Sequence, residues 1–144
     1  MNSDRQSMES ALKTICLPFL RKIGFKGSFP NLYRDTDGFV SLINFQFFSS
    51  GGSFCVNISF ADKLRTNVYF NKEAAPKDLR VSSTREQARL GAKDLFGDHW
   101  FSFGPTSGGE FRGHPDSPAT IAAQINQLAI DVAEPWWLKH AGES

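Results

Sequence analysis

The sequence has too few cysteines for a disulfide framework or a zinc site. It holds two, Cys16 and Cys55, whereas disulfide-rich domains and zinc modules use larger sets at fixed spacing. Cys16 lies on the apolar side of a predicted helix, and Cys55 lies on the polar side of a predicted strand. Because no base is placed to activate either thiol, we predict two reduced, structural cysteines.

The chain also lacks an excess of either charge and lacks long apolar runs. Its 16 basic and 15 acidic residues give a formal net charge of +1, and the two signs are mixed along the chain. Without a basic stripe to neutralise phosphates, nucleic acid is not an expected partner. No apolar stretch is long enough for a signal peptide or a bilayer span. We therefore expect a cytoplasmic protein that does not bind a membrane.

No arrangement typical of catalysis or metal binding stands out. The three histidines, His99, His114 and His140, are far apart and none has a ligand at metal-binding spacing. Asp98 and Asp116 lie near the first two, so a metal or acid–base site assembled from these four residues is an alternative. Surface or locally hydrogen-bonded groups are the favoured interpretation. We predict no catalytic residue, no metal and no cofactor.

What the chain does have is phenylalanine and glycine. The 14 Phe and 12 Gly among 144 residues favour a sheet with turns over a helical bundle. This length predicts one domain, residues 1–144. Apolar residues at helical spacing predict a helix that begins near Asp4, passes Pro18 and stops at Gly24. A second helix is capped by Ser117 and ended or bent at Glu134-Pro135, with the stripe Ile121, Ile125, Leu128 and Val132.

Between the helices the pattern predicts strands. One short strand covers 28–34, and a turn covers 35–38. Strand fragments are predicted at 67–70 and 79–81, and a strand or a buried connection at 100–103, followed by a loop over 104–118. Residues 83–90 remain open between helix and strand, since Ser83 and Glu86 have capping-box spacing. The predicted fold is α+β: an antiparallel sheet of about four or five strands with N- and C-terminal helices packed on one face.

A β-hairpin over 39–60 is the most specific feature of the sequence. Apolar residues occupy odd positions in its first arm and even positions in its second, on either side of a loop at 49–52. Side chains alternate across a strand, so the register must set odd positions opposite even ones. We predict Asn44 opposite Asn57, with the turn centred on Ser50 and Gly51 and with Gly52 free to take a positive φ.

This register places a set of uncharged polar side chains on the face opposite the apolar one. We call this set the amide face: Asn44, Gln46, Asn57 and Ser59. Amides offer donors and acceptors without charge, which suits recognition of a peptide backbone or a polar ligand. The structural alternative is that these side chains are buried and bond an overlying loop or helix.

Several segments together resemble a bacterial family described as domain of unknown function 4304. The resembling segments are Leu20–Lys26, Tyr33-Arg34, Ile43–Gln46, Gly52–Asn57, Arg89–Gly91, Asp98–Phe101 and Glu134–Leu138. In this chain His99 and Phe101 flank Trp100, where the family pattern has Asp-x-Trp-Trp. The resemblance spans most of the chain and implies a compact α+β domain, but it implies no activity.

The leading functional hypothesis is a non-catalytic module that binds another protein, with toxin neutralisation as one version drawn by analogy. Candidate interface residues are the amide face and Trp100, whose alternative role is core packing. The runner-up is a binder of a small-molecule or nucleotide-like ligand on the amide face. An enzyme ranks third.

Overall fold

The computed structural model describes residues 3–49, 51–92, 97–106, 108–111 and 113–143. The chain begins with α1 (Ser3–Ala11), a π-helical turn (Leu12–Cys16) and α2 (Leu17–Lys22). It ends with α3 (Pro118–Leu128), a second π-helical turn (Ala129–Ala133) and α4 (Glu134–Glu143). The described strands are β1 (Lys26–Ser28), β2 (Asn31–Thr36), β3 (Phe39–Phe47), β4 (Gly51–Ala61), β5 (Gln87–Arg89) and β6 (Phe101–Thr106).

The strands form one antiparallel sheet, so the predicted α+β fold is confirmed. In the described part of the chain the sheet has six strands in the order β1-β2-β3-β4-β5, with β6 also paired to β4. The N- and C-terminal helices pack together with the apolar sheet face in one core, which includes Leu12, Phe45, Phe54 and Ile125. No helix among the described residues is long and apolar enough to cross a membrane.

The predicted hairpin register is confirmed. Asn44 pairs with Asn57, and Phe45 and Phe47 pair with Val56 and Phe54. Phe47 and Phe54 stack on the helix side of the sheet, with ring centroids 4.9 Å apart. A slip by one residue would expose such side chains, each of which stabilises the fold by about 1.5–3 kcal/mol. Gly52 has the expected positive φ of 24°, whereas Ser50 lies outside the described residues.

The terminal helices are more continuous than predicted. Glu134-Pro135 does not end the second helix, because α4 begins at Glu134 and follows the second π-helical turn directly. A π-helical turn adds a residue and shifts the buried stripe. Val132 is therefore 44% exposed. The buried positions recur at every fourth residue: Ile121, Ile125, Ala129, Ala133 and Trp137.

Segments that were predicted as isolated strands have other conformations. The strand at 28–34 is instead the hairpin of β1 and β2, because Pro30 interrupts it. The fragments at 67–70 and 79–81 form no strand, and Val68 makes one isolated bridge to Thr84. Their apolar side chains are used in a second small core on the other sheet face, with the members Val40, Leu42, Ala61, Val68, Leu79 and Val81.

Residues 83–90 contain a strand and no α-helix. A 3-10 turn (Val81–Ser83) leads into β5, so the capping-box spacing of Ser83 and Glu86 starts no helix and the strand alternative is confirmed. The Ser83 hydroxyl instead accepts from the Arg80 amide at 3.2 Å and donates to the Arg80 carbonyl at 2.7 Å, which closes the turn. The strand β6 extends to Thr106, three residues into the predicted loop.

Candidate functional site

A row of asparagines crosses the sheet on the face away from the helices. Asn31 of β2 pairs with Asn44 of β3, which pairs with Asn57 of β4. We call these three residues the amide row. Nδ2 of Asn44 donates to Oδ1 of Asn31 at 2.8 Å, and Nδ2 of Asn57 donates to Oδ1 of Asn44 at 3.2 Å. The side chains thus bond one another across three strands, and each is partly exposed.

Gln46 extends this network and projects into solvent. Its Oε1 accepts from Nδ2 of Asn57 at 3.0 Å and from Sγ of Cys55 at 3.8 Å. No hydrogen bond is formed by Nε2 of Gln46 or by Nδ2 of Asn31 within the described part of the chain. The network therefore consumes the oxygens of these amides and leaves N–H groups free, so that the surface offers mainly donors.

Arg89 closes one end of the row. This residue pairs with Asn57 in the sheet, and its Nε donates to Oδ1 of Asn57 at 3.3 Å. Its Nη1 forms an ion pair with Asp98, and its guanidinium lies 5.9 Å from the ring of Trp100. The carboxylate and the ring hold Arg89 in place, and Arg89 in turn fixes the orientation of the Asn57 amide, with Oδ1 toward the guanidinium.

The amide row forms the floor of a concave surface of about 440 Å³. One wall is the turn containing Arg80, Val81 and Ser82. Gln87 of β5 attaches this wall to the sheet, because its Nε2 donates to the carbonyls of Val81 and Thr84, both at 3.0 Å. The hydrogen bonds within the amide row and those of Gln87 therefore hold the sheet surface and the Arg80 turn in a defined arrangement.

The structure brings together three of the predicted site residues, Asn44, Gln46 and Asn57, and they are accessible. Ser59 is fully buried, and its hydroxyl has no partner among the described residues. Trp100 does not line the concave surface; it contacts Phe48, with ring centroids 3.8 Å apart, beside Arg89.

The site also contains residues that were missed from the sequence, among them Asn31, Arg80 and Arg89. Asn31 was inside a predicted strand, but Pro30 concealed the hairpin and with it the register. Arg89 fell in a segment left open between helix and strand. Arg80 lay inside the predicted strand fragment at 79–81, which forms no strand, so no sequence signal placed its side chain over the sheet.

A separate concave surface, of about 700 Å³, is lined by the residues of the alternative acid–base site. Asp98, His99, His114 and Asp116 all line it. Burial lowers the pKa of His99 below its usual 6.5, and the nearby Asp98 carboxylate opposes this. Nδ1 of His114 lies 4.0 Å from Oδ1 of Asp116, and its side chain is 89% exposed. Within the described ranges, no three His, Cys, Asp or Glu residues are grouped closely enough to hold a metal ion.

Both thiols are buried and unpaired. Burial raises the pKa of Cys16 to about 12, and its Sγ donates to the Ala122 carbonyl at 3.3 Å. Burial also raises the pKa of Cys55, against the opposing charge of Arg89. A thiol with a raised pKa carries little thiolate, so these groups pack and do not react.

The fold and this face define a small α+β domain with a polar, donor-rich surface on an antiparallel sheet. The family model of the domain of unknown function DUF4304 matches residues 16–139. The chain belongs to that family. No curated protein matches the chain, and no solved structure does.

Proposed function

We propose that this protein is a non-catalytic binding module that engages another protein through the amide row and the concave surface around it. One observation carries the proposal: the amides bond each other and still face solvent, and N–H groups of Gln46 and Asn31 have no partner among the described residues. A preformed and accessible set of donors matches the carbonyl oxygens of a polypeptide.

A small polar ligand is the second candidate, favoured by the shape of the site. A volume of about 440 Å³ is within the usual range for small-molecule pockets. Such pockets are lined mainly by apolar and aromatic side chains. This one is lined by amides, Arg80, Ser82 and Gln87, with Val81 as its apolar member. The lining therefore favours a polypeptide over a compact ligand.

The proposal includes a cytoplasmic location in a bacterial cell. Two unpaired, buried thiols suit a reducing compartment. Neutralisation of a toxin protein is one form that the binding could take, by analogy with other small α+β domains.

Comparative capture from an extract of the source organism tests the proposal. Wild-type protein and the Asn44→Ala/Asn57→Ala variant serve as baits, and the Gln127→Ala variant removes an exposed amide from α3 as the matched control. We expect a partner that wild type and Gln127→Ala retain and the double variant loses. Added in purified form, that partner should raise the melting temperature of wild type with concentration. Equal capture by all three baits contradicts the proposal.

A further inference from the structure

We infer that the amide row binds an extended acidic segment, about six residues long, of the partner protein. This inference rests on the proposed function and specifies the chemistry of its partner. Three independent features of the described residues lead to it. The hydrogen-bond groups that lack partners are donors, the rim carries cations, and the line of residues across the sheet has the length of a short peptide.

The free hydrogen-bond groups select a partner that accepts. Oδ1 of Asn57 accepts from Arg89, and Oε1 of Gln46 accepts from Asn57. The single S–H of Cys55 lies within reach of both oxygens, at 3.7 and 3.8 Å. The N–H groups of Gln46 and Asn31 lack partners in the described ranges. The amide oxygens of the site thus accept hydrogen bonds within the network, while amide N–H groups remain available to a partner. Carboxylates and backbone carbonyls of the partner can accept from these N–H groups, and a carboxylate can only accept.

The rim adds cations that form no ion pair with a carboxylate of the described residues. A second concave surface of about 300 Å³ lies beside the first, since Asn31 and Tyr33 occupy the same face of β2 and line one each. Lys26 and Lys77 line the second surface and Arg80 lines the first. All three are exposed, and none forms an ion pair within the described part of the chain.

The neighbouring carboxylate is already engaged. Asp35 also lines the second surface, but its Oδ1 accepts from the Gly38 amide at 2.9 Å. Arg80 donates from Nη1 to the carbonyls of Lys77 and Leu79, at 2.9 and 3.0 Å, which holds the guanidinium at the rim. Among the residues that line the two surfaces, Lys26, Lys77 and Arg80 outnumber the carboxylate of Asp35, so this lining is positive on a chain of nearly neutral net charge.

The amide row, continued by Ser28 at one end and by Arg89 at the other, has the length of a short extended peptide. The residues Ser28, Asn31, Asn44, Asn57 and Arg89 lie directly opposite one another on β1 to β5. Adjacent strands are about 4.8 Å apart, so this line is roughly 19 Å long. An extended chain advances about 3.3 Å per residue, so six residues cover it.

Single-stranded nucleic acid fits the site less well. Such ligands bind through aromatic platforms on which the bases stack. The first concave surface has no aromatic residue in its lining, and Tyr33 is the aromatic residue lining the second. The acidic partner is therefore a polypeptide.

Labelled hexapeptide pools test this inference. Three N-acetylated pools share Ser, Thr, Ala and Val and differ only in having Asp/Glu, Asn/Gln or Lys/Arg at half of their positions. Fluorescence anisotropy gives the apparent Kd of each pool, and the side-chain amide signals of Asn31, Asn44 and Gln46 report the site by NMR. We expect the acidic pool to bind about tenfold more tightly than the amide pool at low salt, a difference that shrinks as salt screens the charges.

Two triple variants assign the preference to the rim. Lys26→Gln/Lys77→Gln/Arg80→Gln should lose the preference for the acidic pool. The matched control Lys13→Gln/Lys22→Gln/Lys139→Gln, which removes the same charge from the helices, should retain it. Because the salt dependence is measured on wild type, the inference stays testable if the rim variant does not fold.

The outcomes separate this inference from the proposed function. Equal binding of the acidic and amide pools at the amide row overturns the acidic preference and leaves the binding module intact. Equal loss in both triple variants, or tighter binding of a single-stranded RNA hexamer, also overturns it. Binding of no pool overturns it as well. A partner whose capture is unaffected by Asn44→Ala/Asn57→Ala instead contradicts the proposed function.

Discussion

At the scale of single residues, Asn57 is the centre of the candidate site. It donates to Asn44 and Gln46 and accepts from Arg89 and Cys55. Both ends of its amide are thus used for neighbours, while the side chain remains partly exposed. A group that organises others without being buried contributes more to the shape of a site than to the stability of a fold.

We predict that Asn57→Ala lowers the free energy of unfolding by about 0.5–1.5 kcal/mol, because water can replace its hydrogen bonds in part. Gln46→Ala, at a more exposed position, should change it by less than about 0.5 kcal/mol. Urea denaturation with an unchanged m-value measures both. A loss above about 3 kcal/mol for Asn57→Ala would mean that the row is structural and would withdraw the site.

His99 gives the protein a pH dependence. Burial lowers the pKa of His99 in the folded state below the 6.5 of the unfolded chain. The unfolded state then binds more protons, so the contribution of His99 is complete above pH 6.5 and declines as the pH falls toward the folded pKa. The midpoint of urea unfolding should decrease as the pH is lowered from 6.5, and His99→Gln should make this decrease smaller. His114→Gln removes a histidine that is 89% exposed and should not; equal slopes in both variants refute the assignment.

At the scale of elements, β4 is the strand on which the sheet depends. It pairs with β3 along most of its length and with both β5 and β6 on its other edge. The strand β6 pairs with the first residues of β4, and the register shifts between Gly51 and Ser53. At this irregularity the two backbones lie close together. Gly52 makes that approach possible, because an added Cβ would lie 1.8 Å from the Gly104 carbonyl oxygen.

We predict that Gly52→Ala lowers the free energy of unfolding by about 2–4 kcal/mol, since β6 must move away from β4. Gly109→Ala is the matched control: its φ of +83° is strained for alanine, but beyond its chain neighbours no atom of the described residues lies within 4 Å of the added Cβ. Backbone strain alone should cost it about 1–2 kcal/mol. Thermal or urea unfolding distinguishes them, and equal losses would show that the contact with Gly104 is unimportant.

At the scale of the whole molecule, Arg34 links the two helical ends to the sheet. It lies on β2, and its Nη1 donates to the Ile23 carbonyl just after α2, at 3.1 Å. Its Nη2 forms a 2.5 Å ion pair with Glu134 of α4, and its guanidinium lies 4.6 Å from the ring of Phe25. One planar cation thereby joins segments that are 100 residues apart in the chain.

We predict that Arg34→Ala lowers the free energy of unfolding by about 1.5–3 kcal/mol, because charge-assisted hydrogen bonds and ring contacts are lost together. Glu134→Gln keeps an acceptor and should cost about 1 kcal/mol or less. Arg34→Lys should not restore stability, since an ammonium cannot make the forked contacts of a guanidinium. Full stability in Arg34→Lys would show that the charge alone matters. Urea unfolding of the three variants measures the contrast.

The accuracy of the sequence predictions followed the range of the interactions concerned. The β3–β4 register was predictable because both arms and their turn are adjacent in the chain, and alternation allows one pairing that buries Phe45 and Phe54. The strand fragments at 67–70 and 79–81 were wrong because their apolar residues only find their partners on Val40 and Leu42, far away in sequence. The local sequence pattern cannot distinguish a segment whose apolar side chains pack on the face of a sheet from a segment that forms a strand of that sheet.

The α+β class, the hairpin register and the shared face of Asn44, Gln46 and Asn57 follow from the amino-acid sequence alone, because alternation and helical spacing are local properties of the chain. The surroundings of that face depend instead on how distant segments pack. Docking of 62–86 buried Ser59 and raised Arg80 over the sheet, and the Pro30 hairpin placed Asn31 beside Asn44. These placements depend on packing between distant segments, whose free energy no single window of sequence contains.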